Sequence, residues 1–142
     1  MTINEIQDEI IEDFTLMDDW MDRYQLLIDL GEDEDDLSEE EKVDANLIEG
    51  CQSRVWLVCD EEDGILEYRA ESDALIVKGI AVLLMRVLSG HTPQEILDAD
   101  LYFIDKIGLS EHLSPTRSNG LLAMVKQMRM YALAYQTKLA QG

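Results

Sequence analysis

The stretch Ile80-Ala81-Val82-Leu83-Leu84-Met85-Arg86-Val87-Leu88 constrains the fold most. Wound as a helix, it is apolar on nearly every side. Such a helix is stable only where other elements cover it, so it is read as the buried centre of the fold. It is too short to cross a bilayer, which takes about 20 apolar residues, and Arg86 interrupts it. The preceding Ala74-Leu75-Ile76-Val77 is β-prone. Gly79 favours a break, so the reading is a strand over 74–77 and a helix over 79–89.

The covering elements follow from spacing. Thr2 and Glu5 are placed as a capping box, and Ile3, Ile6, Ile10 and Phe14 share one helical face, giving a helix over 2–14. A second helix spans 18–30. Asp18 and Asp19 suit its N-terminal end, Trp20, Tyr24, Leu27 and Ile28 form its stripe, and Gly31 acts as its stop. Residues 32–44 read as a mobile acidic loop with almost nothing to bury. Ser38 and Glu41 are spaced for one capped turn within it.

Arg54 to Cys59 reads as a strand, Asp60 to Gly64 as a turn, and Ile65 to Ser72 as a second strand. Leu66, Tyr68 and Ala70 alternate with Glu67, Arg69 and Glu71, and the pair makes a hairpin. Thr92-Pro93-Gln94-Glu95 opens a short helix. Another spans 102–107 and ends at Gly108. Ser114-Pro115 opens a long final helix, irregular at Asn119-Gly120, with Leu121, Val125, Met128, Ala132, Tyr135 and Leu139 as its stripe. The sum is a single α+β domain over residues 1–142: a three-stranded antiparallel sheet packed against helices.

Charge narrows the partners. The 142-residue chain carries a net charge of −20, and residues 1–44 alone hold 18 acidic and 2 basic side chains. A field this negative repels phosphates and argues against nucleic acid. It fits either a solubilising surface or a basic protein partner. No run is long enough for a membrane span, and the N-terminus is acidic and lacks a hydrophobic signal, so a cytoplasmic protein is expected. A homodimer is left open.

Chemistry concentrates at Gly50-Cys51-Gln52-Ser53-Arg54, followed by the β-prone Val55-Trp56-Leu57-Val58. This reads as a cysteine on a loop tip held by a strand. A thiolate, not a thiol, is the nucleophile, and Arg54 is close enough in sequence to favour one. Cys59 lies in an apolar strand. Two cysteines and two histidines, His91 and His112, show no metal-ligand spacing. Both histidines fall at helix ends, as surface or capping residues, and nothing sets either beside Cys51 as a base. No phosphate-binding glycine motif is present.

Four blocks in order resemble the SufE/CsdE family of sulfur acceptors: Asn46-Leu47-Ile48-Glu49-Gly50-Cys51-Gln52-Ser53-Arg54-Val55-Trp56-Leu57, Ser72-Asp73-Ala74-Leu75-Ile76-Val77-Lys78-Gly79, Thr92-Pro93-Gln94-Glu95-Ile96, and His112-Leu113-Ser114-Pro115-Thr116-Arg117-Ser118-Asn119-Gly120-Leu121. The resemblance covers roughly residues 8–139. It implies the fold shared by SufE and IscU-type scaffolds. It also implies that Cys51 takes persulfide sulfur from a SufS-like cysteine desulfurase, stimulates that enzyme, and delivers the sulfur to a SufB or SufBCD-like iron–sulfur scaffold. The chain would then carry no cofactor of its own, because the pyridoxal phosphate belongs to the desulfurase. Gly50, Gln52, Ser53, Arg54, Asp73, Lys78 and Arg117 are the supporting or partner-binding candidates, and Gly50 and Gly79 the candidate loop pivots.

Two other readings predict different behaviour. An IscU-like assembly scaffold would need three cysteines around a cluster. A pure binding module would keep all activity after Cys51→Ala. The sequence does not separate a Suf from a Csd system, nor give the resting position of the loop or the roles of Cys59 and the acidic stretch.

Overall fold

The structure is a computed structural model that describes residues 1–34, 37–48 and 53–141. Its elements in order are α1 (Ile3–Thr15), α2 (Trp20–Glu32), a single 3-10 turn (Asp44–Asn46), β1 (Val55–Glu62) and β2 (Ile65–Ser72). After these come α3 (Leu75–Leu88), α4 (Pro93–Asp98), α5 (Phe103–Lys106), α6 (Leu109–His112) and α7 (Pro115–Gln141).

The apolar segment lies in α3, with Ile80 to Leu84, Val87 and Leu88 buried. α2, β2, α7 and α1 pack around it. The architecture is α+β, but among the described residues the sheet has two strands, not three. The strand expected over 74–77 is the first turn of α3, which is capped at Ala74 and runs unbroken through Gly79. The reason is a helix crossing. A Cβ on Gly79 would lie 2.0 Å from the Leu27 carbonyl oxygen of α2, and one on Gly31 would lie 3.1 Å from the Gly79 nitrogen. The two glycines form the notch in which α2 and α3 meet, so Gly79 is no pivot. Gly31 likewise does not stop α2, which continues to Glu32.

β1 and β2 pair antiparallel from Val55 opposite Ser72 to Glu62 opposite Ile65. Asp60, Glu61 and Glu62 belong to the strand rather than to the turn. The turn is Asp63-Gly64 alone, with φ of 54° and 84°, the left-handed pair that matches the twist of a hairpin. Isolated bridges, Leu47 to Trp56 and Leu66 to His91, flank it. Leu66, Tyr68 and Ala70 face the core as the alternation predicts.

α7 crosses the hairpin and is fastened to it by tyrosines. Tyr68 donates its hydroxyl to the Met128 carbonyl at 2.6 Å, and Tyr135 donates to the Cys59 carbonyl at 3.0 Å. α7 begins at Pro115 with no irregularity at Asn119-Gly120. Of its expected stripe, Leu121, Met128 and Ala132 are buried, joined by Met124, while Leu139 is exposed. No helix among the described residues is long and apolar enough to cross a membrane.

The expected acidic loop is partly anchored. Leu37 is buried, and Arg69 on β2 binds Glu41. His91, expected at the surface, is buried as well. Its Nε2 bonds the Met1 carbonyl at 3.0 Å, so that nitrogen carries the proton.

Candidate functional site

The residues that flank the cysteine motif are pinned to one another and to the hairpin, forming a stem. On the entering side, Leu47 bridges to Trp56, and the Ile48 amide donates to the Val55 carbonyl at 2.8 Å. On the leaving side, Asp73 grips Arg54 twice. Its Oδ1 accepts from the Arg54 amide at 3.1 Å, and its own amide donates to the Arg54 carbonyl at 3.3 Å. Each such bond contributes about 1 kcal/mol net. Together they fix both ends of the segment on the edge of the hairpin. Cys51, Gly50 and Gln52, with Glu49, lie outside the described residues. Ser53 is half-buried just inside the stem.

Lys78, in the second turn of α3, is buried and paired with Glu71 at 3.1 Å. Glu71 stands opposite Trp56, one position from the Val55–Ser72 pair that ends the ladder at the stem. Strand alternation assigns Glu71 to the exposed face, so sequence reasoning missed it. The available signal was Lys78 itself, a cation inside an apolar helix that needs a counter-charge. Replacing Lys78 by an apolar residue would take this cation away from the buried Glu71 carboxylate, at about 3–5 kcal/mol.

Arg117 is exposed in the first turn of α7, where its amide donates to the Ser114 hydroxyl at 3.3 Å. It does not join the Arg54–Asp73 or Glu71–Lys78 pairs. Its neighbour Asn119 does reach the motif's surroundings. A groove of about 720 Å³ runs between Leu47 and Ile48 on one wall and Asn119, Ala123 and Lys126 on the other. It opens beside the residue that leads into the cysteine segment.

Cys59 has the opposite environment. Burial, reinforced by the neighbouring Asp60 charge, pushes its thiol up to about 12. At neutral pH it stays protonated, unsuited to nucleophilic attack or metal ligation. His112 is engaged elsewhere, stacked on Trp20 of α2 with ring centroids 3.9 Å apart. Among the described residues no group of three or more His, Cys, Asp and Glu side chains could hold a metal ion.

Comparison with known proteins supplies the family. A profile described as "SufE: Fe-S metabolism associated domain" matches residues 8–132. The chain is 44% identical over 127 residues to a SufE-like protein of Rhizobium etli, covering 86% of each. It is 38% identical over 134 residues to a SufE-like protein of Synechocystis, covering 94% of this chain and 84% of that one. A solution structure of a hypothetical protein from Thermus thermophilus superposes with a TM-score of 0.76 at 23% identity, covering 93% of this chain and 96% of that one, and so shares the fold. With most of its length matched by the profile and by these relatives, the chain belongs to the SufE family of Fe–S metabolism associated domains.

Proposed function

We propose that the protein is a sulfur acceptor in iron–sulfur metabolism, with Cys51 as the carrier. The observation that carries this reading is the pinned stem: Ile48 tied to Val55 and Arg54 tied to Asp73 hold the ends of a segment whose one nucleophile is Cys51. The other cysteine is buried and protonated. A carrier thiol needs access to two partners in turn, and reactive groups tend to stand on segments anchored by a rigid element, as the hairpin anchors Ile48 and Arg54.

The reaction is thiol exchange. The Cys51 thiolate attacks the outer sulfur of a persulfide on the donor cysteine. A new sulfur–sulfur bond forms as the bond between the donor's two sulfurs breaks. The donor leaves as a thiolate, and Cys51 holds the transferred sulfur as a persulfide. The donor is a SufS-like cysteine desulfurase, which this chain stimulates by emptying its cysteine. The receiver is an iron–sulfur scaffold of the SufBCD kind. In this reading the exchange runs in the cytoplasm, where thiols are kept reduced. Arg54, whose backbone Asp73 holds, is the cation nearest to Cys51 in sequence and the candidate to favour its thiolate. Gly50, Gln52 and Ser53 are the supporting candidates beside Cys51 in sequence, Lys78 and Glu71 brace the hairpin end, and the exposed Arg117 is the candidate for partner contact.

The test uses radiosulfur-labelled cysteine, an active desulfurase and non-reducing gels. Wild-type protein becomes labelled, and thiols release the label. Cys51→Ser takes none. Asp73→Ala, which loosens the stem without touching the nucleophile, still labels but about tenfold more slowly, a barrier rise near 1.4 kcal/mol. Equal labelling of wild type and Cys51→Ser would reject the proposal.

A further inference from the structure

α7 carries a second surface that sulfur exchange does not use. Leu122, Met130 and Leu133 are 66%, 53% and 55% exposed. With Val125 and with Leu97 of α4 they line a groove of about 400 Å³. Positions 122, 126, 130 and 133 fall on one helical face and span about 17 Å, three turns of helix.

The charge in this groove is opposite to that of the molecule. Among the described residues its titratable side chains are Lys126 and Arg129, both cations, on a chain whose net charge is −20. Lys126 is exposed and makes no hydrogen bond or ion pair among the described residues. Arg129 is half-buried. One of its terminal nitrogens donates to the Ala99 carbonyl at 2.9 Å, and its Nε has no hydrogen-bond partner. A polyanion that keeps an apolar, cationic strip open repels most acidic chains at a distance and selects those that can also fill the strip.

We infer that this groove docks an acidic amphipathic helix of a partner protein. Its apolar side chains lie over Leu122, Met130 and Leu133, and its carboxylates meet Lys126 and Arg129. The three-turn stripe between α4 and α7 is the shape that a helix-in-groove contact requires. A second copy of this chain using the same strip about a two-fold axis would set cation against cation. Lys126 and Met130 also line the groove beside Ile48, so a docked helix lies next to the stem of the cysteine segment. The inference rests on the groove and does not require that sulfur be transferred.

The probe is a synthetic helical peptide of about four turns, with leucines at every third and fourth position and glutamates elsewhere. A control has the same leucines with lysines. Binding to the full chain is followed by fluorescence anisotropy and amide chemical shifts at about 0.15 M salt. The glutamate peptide binds despite the protein's net charge. Shifts concentrate at Leu97, Leu122, Lys126, Met130 and Leu133. Lys126→Glu and Leu133→Ser each weaken binding about tenfold, while Asp22→Asn on α2 leaves it unchanged; circular dichroism checks that every variant folds. Four results would overturn the inference: no glutamate-peptide binding up to about 1 mM, shifts clustered elsewhere, equal or tighter binding of the lysine peptide in this groove, or insensitivity to Lys126→Glu. So would sedimentation of the protein alone as a dimer that Leu133→Ser dissociates, because the occupant would then be a second copy.

Discussion

Arg69 holds the Glu41 carboxylate with both terminal guanidinium nitrogens, at 3.1 and 2.5 Å, and the Ser38 amide adds a third donor at 3.1 Å. These bonds, the guanidinium contact first, pull the Glu41 pKa from 4.5 to about 2. The pair is solvent-exposed, so it contributes little to stability. Its effect is to fasten residues 38–42 to the outer face of the hairpin. A depressed carboxyl pKa stabilises the fold above the ordinary value, and that contribution is lost as pH falls from about 4.5 toward 2. In a carboxyl-carbon NMR titration, Glu41 should show a midpoint near 2 in wild type and move up toward 4.5 in Arg69→Gln. An unchanged midpoint in the variant would show that the guanidinium is not the cause. At the same scale Cys59 on β1 is buried and kept protonated, with the Tyr135 hydroxyl donating to its carbonyl.

At the scale of elements, the crossing of α2 and α3 decides the architecture. An alanine at position 79 gains up to about 1 kcal/mol in helix propensity. Its methyl would nonetheless overlap the Leu27 backbone, which cannot move aside as a side chain can. Gly79→Ala should therefore lose about 2–3 kcal/mol in denaturant unfolding. Gly31→Ala should lose less, because its nearest contacts are at 3.1 and 3.2 Å and one of them is the flexible Lys78 chain. A stabilised Gly79→Ala would contradict the notch.

This glycine also marks where the sequence became ambiguous. The burial of Ile80 to Leu88 was legible because a helix apolar all round has nowhere else to go. The hairpin was legible from Asp63-Gly64 and from alternation, and both capping boxes, at Thr2 and Thr92, form as spaced. Gly79 was not legible. A glycine that ends a helix and a glycine that admits a neighbouring helix look alike in one dimension, and reading it as a break created the third strand. Glu71 failed for a related reason, since strand alternation knows nothing of a lysine arriving from α3. At the site, Arg54 and Asp73 were both named from the sequence, and the structure joins them. The Lys126 groove is not legible in the sequence, because the apolar repeat of α7 reads as a core stripe whether or not part of it is left open.

Across the whole molecule, charge and chemistry are segregated. Acidic side chains crowd the N-terminal third of the chain, Glu41 among them. α7 presents a cationic, apolar strip, and the groove that begins at Ile48 shares Lys126 and Met130 with that strip. A carrier built this way can meet one partner at the cysteine segment and steady it along α7. Membership of the SufE family supplies the metabolic setting. The pinned stem and the buried, protonated Cys59 are what the proposal of Cys51 as the carrier rests on.

That assignment is tested most directly by mass spectrometry of the protein after reaction with an active cysteine desulfurase and cysteine, without reductant. Trypsin cuts after Arg54, between the two cysteines, so each is weighed on its own peptide. One sulfur should be added to the peptide that ends at Arg54 and none to the peptide that begins at Val55. Added sulfur on the Cys59 peptide, or on neither under conditions where the desulfurase turns over, would contradict the assignment.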